Sequence, residues 1–259
     1  AFLLALVNQY KLVYLLFITI ALVVIVGVFQ KNVLTTSILI FKDAIRHANK
    51  LMIAFLTVVL FLYSFFPTYY LWGRRDPGVY LTEGVNIATT GSVHLPENDY
   101  INVHYEELQE IVDLEYRGIY SDYEEGDSDK PGKVTIQFLH YFPSALAIGY
   151  SLAGLEGLVR VNSIIGVLTL LAIYYFCKAI LGRSIATVST VLVGINPAQI
   201  WCARITQTEL LFQLVTFLGL YTAIMAYKRQ RYNWGWISGL LFGITGLNRM
   251  DAYILGVGV

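Results

Sequence analysis

The chain has 259 residues, of which 56% are apolar and 14% charged, and its mean hydropathy is +0.60. A soluble domain carries about 25% charged residues, so this composition argues against a soluble enzyme. The net charge is zero, but residues 73–143 carry 14 of the 18 acids and only 5 of the 18 bases. This division predicts a membrane protein with one large acidic loop. No basic arm or stripe is present, so no nucleic-acid partner is expected.

Six apolar runs without any charge approach the roughly 20 residues that a helix needs to cross a bilayer. They cover residues 12–29, 51–73, 161–177, 184–203, 210–227 and 232–248. Because backbone groups in lipid must be hydrogen-bonded internally, we expect all of them to be helices of an all-α polytopic membrane protein. Residues 1–50 are expected to form an extra transmembrane helix and a cytoplasmic connection, and residues 51–259 the truncated start of a membrane core.

Three segments between the second and third runs are expected to lie outside the bilayer. Segment 79–90 has apolar residues at helical spacing and predicts an interfacial helix. Segment 143–158 is apolar but too short to cross the membrane and return, so it predicts an interfacial or re-entrant helix. The stretch 121–133 is rich in acids, Gly and Ser and predicts a solvated turn or a disordered tip.

Basic residues in the short connections predict the orientation of these helices. Segments 30–50, 178–183 and 228–231 together carry nine Lys and Arg residues, which favours the cytoplasmic side. The acidic loop 73–143 is then extracytoplasmic. The sequence therefore predicts a multi-pass protein of the cell membrane whose active face lies outside.

Outside the acidic loop the chain has only four acids, and three of them lie close to the predicted outer face, together with three arginines. Ionisable groups at a membrane boundary cost several kcal/mol unless they are paired or hydrated, so their gathering predicts a polar cavity there. Snorkelling of the arginines to lipid headgroups is the alternative. The five-residue separation of Arg204 and Glu209 is not ideal for a salt bridge within one helix, and such an acid can face a partner on another helix. These residues are Glu156, Glu209, Asp251, Arg160, Arg204 and Arg249.

Asp76 is the strongest single candidate for chemistry. It follows Arg74 and Arg75 and precedes Pro77 and Gly78, at the point where a predicted helix leaves the membrane. Asp-Pro-Gly is also a common turn sequence, so a purely structural role is equally open. The external histidines are not at a metal-ligand spacing, and a metal site made of histidine alone is not expected.

Three segments in this order resemble GT-C glycosyltransferases: "GRRDPGVYLTEGVNIATTGS", "FLHYFPSALAIGYSLAGLEGLVRVNS" and "NPAQIWCARITQTELLFQ". The resemblance covers roughly residues 51–255 and is greatest to the branch of protein O-mannosyltransferases and lipid A aminoarabinose transferases. It implies an all-helical GT-C-like bundle with a large first extracytoplasmic loop that contains interfacial helices. It also implies a sugar donor linked to polyprenyl or dolichyl phosphate, an acceptor hydroxyl on a protein, lipid or glycan, and inversion at C1 of the sugar.

The resemblance assigns roles to individual residues. Asp76 matches the family's acid after the first core helix and is the expected general base. Glu209 matches a second acid, and the two carboxylates are the candidate ligands for the Mg or Mn ion that some GT-C enzymes use. Contacts to substrate and lipid phosphate are expected from Arg74, Arg75, Tyr80, His140, Arg204, Gln207, Arg249 and Asp251.

A lipid or sugar transporter, or flippase, without transferase activity is the alternative function. It accounts for the helices and the charges in the membrane, but not for the large acidic loop or for the charges on one face, since transporters bind near the midplane. A transporter predicts an inverted repeat in the fuller sequence, whereas a GT-C enzyme predicts further helices. A non-catalytic scaffold leaves Asp76 and Arg249 without a role.

The predicted orientation is tested by labelling in intact cells. With Cys177 and Cys202 replaced by Ala, a cysteine placed at Asp127 should react with a membrane-impermeant maleimide, and one placed at His47 should not. Both positions should react after the cells are permeabilised. Equal labelling of both positions in intact cells would overturn the orientation.

Overall fold

A computed structural model describes residues 1–29, 50–69, 76–94, 119–122, 133–136, 138–230, 232–250 and 252. Within these ranges the chain forms ten helices and one two-stranded sheet. In chain order they are α1 (Phe2–Leu6), α2 (Leu12–Phe29), α3 (Lys50–Ser64), α4 (Asp76–Thr90), β1 (Ile119–Asp122), β2 (Lys133–Ile136), α5 (Tyr141–Val159), α6 (Val161–Leu181), α7 (Arg183–Gly194), α8 (Pro197–Arg204), α9 (Glu209–Arg229) and α10 (Tyr232–Asn248).

The bundle buries small polar side chains among its apolar core residues, and it exposes many large apolar side chains on its outer surface. Buried positions on α6, α7, α9 and α10 include Asn162, Ser163, Thr169, Thr190, Thr222 and Ser238. Large apolar side chains of α2, α3 and α7 are exposed, among them Phe17, Phe61 and Leu192. Small polar residues at helix contacts and apolar residues facing out are typical of helices packed in lipid. This pattern confirms the prediction of an all-α membrane protein.

Each predicted span contains a helix, but the helices differ in length and continuity. α6 and α9 are uninterrupted and long enough to cross a bilayer. The predicted span 184–203 is divided into α7 and α8, which are bent by 60° relative to each other. Asn196 accepts a hydrogen bond from the amide of Ala198 at 2.8 Å, and Pro197 is the first residue of α8. Asn and Pro are the preferred residues at these two positions, so the sequence starts a new helix in mid-span.

α5 is the predicted interfacial or re-entrant helix, and it folds back on itself. It has the length and composition of a membrane span, but Ala153 and Gly154 are non-helical, with φ of +61° at Gly154. A side-chain carbon added at Gly149 would lie 2.8 Å from the carbonyl oxygen of Gly157, so the two arms are in close contact. The longer arm has about 12 residues and reaches about 18 Å, which is too short for a bilayer core of about 30 Å.

The acidic loop contains both predicted and unpredicted elements. The helix predicted at 79–90 is α4, which begins at Asp76 and packs closely on α5, where Gly84 meets Leu146. β1 and β2 pair antiparallel, with Ile119 opposite Ile136, so the loop is not wholly helical. The predicted tip at 121–133 lies mostly outside the described residues.

The two ends of the bundle differ in the charges that they carry. Lys228 at the end of α9 contacts the carbonyl oxygen of Ala179, which brings two of the three basic connections together. At the opposite end, Arg249 meets Glu209. The third basic connection, 30–49, lies outside the described residues. The predicted orientation of the helices relative to the membrane stays a prediction.

A buried asparagine at the start of α6 secures the chain between α8 and α9. The amide nitrogen of Asn162 lies 2.5 Å from the carbonyl oxygen of Ile205 and 2.8 Å from that of Gln207. The hydroxyl of the next residue, Ser163, donates to the carbonyls of Tyr63 and Ala203 at 3.0 and 3.1 Å. These two side chains hydrogen-bond to backbone carbonyls that have no partner within a helix. They thereby hold the backbone of residues 203–207 in place.

Replacing Asn162 should therefore destabilise the protein. In Asn162→Ala, buried carbonyls lose their donor, and the free energy of unfolding should fall by about 2 kcal/mol. Thermal unfolding of the detergent-solubilised protein measures this loss. Thr187→Ala is the control, because the Thr187 hydroxyl bonds to a carbonyl of its own helix at an exposed site. Equal melting temperatures for the Asn162→Ala and Thr187→Ala proteins would contradict the role given to Asn162.

Candidate functional site

A cavity of about 460 Å³ lies where α4 and α9 begin and α10 ends. Its wall contains two carboxylates, one guanidinium, hydroxyls and amides, together with apolar side chains from the segment that precedes α5. The lining residues are Asp76, Tyr80, Phe138, Leu139, Gln207, Thr208, Glu209, Asn248, Arg249 and Met250. Residues far apart in the sequence therefore converge on one polar cavity, which contains two of the six ionisable residues expected to gather there, Glu209 and Arg249.

The start of α4 brings Asp76 into this cavity. Asp76 is in the first turn of the helix, where the helix dipole favours a carboxylate. The hydroxyl of Thr206 donates to the carbonyl of Pro77 at 2.6 Å. Because Asn162 holds the segment that contains Thr206, the position of Asp76 depends on the same anchor.

Tyr80 lies one turn further along α4 and forms part of the same wall. Its ring packs against Phe138 and Phe142, with centroid distances of 4.8 and 5.3 Å. Burial raises the pKa of Tyr80 to about 12, so its hydroxyl stays protonated and can donate a hydrogen bond. The carboxylates of Asp76 and Glu209, which line the same cavity, act in the same direction on this pKa.

Glu209 and Arg249 form the ion pair of the site. Oε1 of Glu209 lies 2.9 Å from Nη1 of Arg249, and both side chains are half-buried. The Asn248 amide donates to the carbonyl of Thr208 at 3.2 Å, which ties the end of α10 to the start of α9. Glu209 therefore pairs across two helices instead of with Arg204 in its own segment.

Not all of the other residues predicted for the site line the cavity. Gln207 lines the cavity, whereas Arg204 does not, and its Nη2 donates to the carbonyl of Leu62 at 2.9 Å. His140 is also absent from the lining, and its Nδ1 contacts Oε1 of Glu83. The remaining predicted residues, Arg74, Arg75 and Asp251, lie outside the described residues.

The side chains present do not favour a metal ion in this arrangement. Asp76 and Glu209, the two carboxylates predicted as ligands, line the same cavity. However, Glu209 is already neutralised by Arg249, and a guanidinium in contact with a carboxylate repels a cation there. In the part of the chain that the structure describes, no three His, Cys, Asp or Glu side chains come close enough to hold a metal ion.

The arrangement suits the transfer of a group from an anionic leaving group to a hydroxyl. A carboxylate with access to the cavity can accept the proton of an attacking hydroxyl. A guanidinium has five N–H donors, so one that pairs with a carboxylate can also bind a phosphate. Fold and cavity together define a polytopic helical membrane protein with an acid-and-arginine site at one end of its bundle.

The comparison with protein families gives a more specific similarity over part of the chain. Residues 142–259 match the family model described as dolichyl-phosphate-mannose-protein mannosyltransferase. The match confirms the resemblance to GT-C glycosyltransferases and supports a membrane glycosyltransferase. No curated protein and no solved structure matches the chain. Asp76, Tyr80 and His140 precede the matched region, so their roles rest on geometry and not on this match.

Sequence reasoning missed several members of the site. Phe138, Leu139 and Asn248 are common residues in apolar or polar stretches, and no local pattern distinguishes them. Glu83 did carry a signal, because it lies three residues after Tyr80 and four before Ile87, both of which are buried on the same face of α4. An acid within an apolar stripe predicts a buried partner.

Matched substitutions of Arg249 and Arg204 test whether the cavity binds the phosphate of the donor. Arg249→Gln removes a charge from the cavity wall and should raise the KM for a polyprenyl-phosphate sugar donor by a factor equivalent to roughly 1.5–3 kcal/mol. Arg204→Gln removes the same charge outside the cavity and should lower the melting temperature while leaving the KM close to wild type. Steady-state transfer assays with varied donor measure both. An unchanged KM in Arg249→Gln would exclude the cavity as the phosphate site, and a raised KM in both would add Arg204 to it.

Proposed function

We propose that this protein transfers a sugar from a polyprenyl- or dolichyl-phosphate donor to an acceptor hydroxyl on the extracytoplasmic side of the cell membrane, with inversion at C1. The observation that carries the proposal is the convergence of Asp76 and Arg249 on one cavity at the end of the bundle opposite two basic connections. The match of residues 142–259 to a dolichyl-phosphate-mannose-protein mannosyltransferase family supports the donor class.

Asp76 acts as the general base. The attacking hydroxyl must lose its proton as the new bond to C1 forms, and a carboxylate that lines the cavity can take it. Asp76 lies in the first turn of α4, where the positive end of the helix dipole favours a negative group. Attack on the side of C1 opposite to the departing phosphate gives inversion.

Arg249 stabilises the leaving group. When the bond between C1 and the phosphate oxygen breaks, negative charge grows on the lipid phosphate, and a guanidinium stabilises it more strongly than a neutral donor does. The protonated Tyr80 hydroxyl is a further donor in the same wall. Glu209 keeps Arg249 in place between α9 and α10 before substrate binds.

The outer ends of the helices give the lipid donor a path into the cavity. Because large apolar side chains face outward along the bundle, a polyprenyl chain can lie against it in the bilayer while its phosphate reaches the polar end. The acceptor is the hydroxyl of a protein, lipid or glycan, which approaches from the aqueous side. The acidic loop 73–143 borders that side and contributes Asp76.

Replacing Asp76 by Asn tests the general base. Asn keeps the shape and the turn propensity of Asp but cannot accept a proton, so transfer should fall by roughly two to four orders of magnitude while expression and helix content stay unchanged. The assay is transfer of radiolabelled sugar from a polyprenyl-phosphate donor by the purified full-length protein.

Glu156→Gln is the control for this variant. Glu156 is an acid outside the cavity lining that pairs with Arg160 on an exposed surface. Its loss should leave turnover near wild type. Near-normal turnover of Asp76→Asn would remove Asp76 from the mechanism, and absence of transfer by the wild-type protein with every lipid-phosphate sugar tried would favour the transporter alternative.

A further inference from the structure

Glu83 is a completely buried acid next to the proposed site. Its side chain is 0% exposed, and its Oε1 contacts Nδ1 of His140, which is 27% exposed. Burial raises the pKa of the Glu83 carboxyl, while the contact with His140 acts in the opposite direction. Among the described residues, Oε2 of Glu83 has no hydrogen-bond partner.

Stability alone does not account for such a pair. Removing two ionisable side chains from water is costly, and apolar residues of similar volume are often at least as stabilising. The unpartnered oxygen adds a further cost. A contribution to stability therefore does not explain the pair, and its location in the fold suggests another role.

The pair joins the two elements that form one wall of the cavity. Glu83 lies on α4, one turn after Tyr80, and His140 directly precedes α5. Phe138 and Leu139, which line the cavity, are the two residues before His140. The pair therefore ties the Phe138–Leu139 segment to the helix that carries Asp76.

We infer that Glu83 and His140 are positioning residues that hold the Phe138–Leu139 wall at a set distance from Asp76 and Tyr80, so that the donor binds in a reactive orientation. This inference rests on the proposed function. Neither residue lines the cavity, and both act through the wall. The hydrogen bond has a direction and a length, whereas apolar packing in the same space lets the segment shift, and a shift of about 1 Å can cost roughly a hundredfold in rate.

A doubly apolar variant separates positioning from stability. Glu83→Leu combined with His140→Phe removes both polar groups together, leaves no buried charge and should melt at or above the wild-type temperature. Its kcat/KM for sugar transfer by the full-length protein should nevertheless fall roughly tenfold or more. Glu83→Gln keeps the length and one hydrogen bond to His140 and should retain most of the activity.

A control variant and a second double variant complete the test of the positioning role. Tyr10→Phe is the matched control, because it removes a hydrogen bond to Ser151 on α5, outside the cavity lining, and should leave kcat and KM unchanged. If this apolar pair does not fold, Glu83→Met combined with His140→Leu, which also removes the hydrogen bond, is judged by the same criterion. Wild-type kcat/KM in a folded double variant would overturn the inference while leaving the proposed function intact, whereas absence of transfer by the wild-type protein would overturn the proposed function itself.

Discussion

The hydrogen bonds that Asn162 donates to the chain between α8 and α9 support the whole outer end of the bundle. Backbone that leaves a helix at membrane depth carries carbonyls with no helical partner, and such groups must be satisfied inside the protein. Asn162 reaches carbonyls in this segment from the start of α6, and Thr206 in the same segment then bonds to Pro77. Through these contacts Asn162 and Thr206 connect the starts of α4 and α6 to the segment that precedes α9. Asp76 and Glu209 are both first-turn residues of helices placed in this way.

Polar residues have different roles within the helix bundle and at its outer end. Within the bundle, Ser, Thr and Asn bond to carbonyls and let the helices approach closely, as at Ser163 and Thr169. At the outer end, ionisable side chains pair across elements that are distant in sequence, as in Arg249 with Glu209 and His140 with Glu83. The first group explains how helices associate in a medium that offers no hydrophobic driving force. The second group surrounds the cavity and gives it an acid, a cation and a rigid wall.

The position of α5 links the acidic loop to the membrane core. Its fold-back at Ala153 and Gly154 keeps both arms at one end of the bundle, where they pack on α4. A straight helix of the same length would cross the bilayer and carry the following helices into the opposite orientation. The turn at Gly154, which has a positive φ that suits glycine, therefore preserves the arrangement in which Asp76 and Arg249 share one side.

Hydropathy and charge are properties of single segments, and they were enough to predict the helices, the separation of basic and polar ends, and the family resemblance. The sequence left open whether Glu209 faces a partner on another helix, and the folded structure shows that Arg249 is this partner. The sequence likewise left His140 and Arg204 as phosphate ligands, whereas folding directs them to Glu83 and to the carbonyl of Leu62. Such partners depend on where helices cross and on which carbonyls a break leaves exposed, and these are relations between segments that no local pattern encodes.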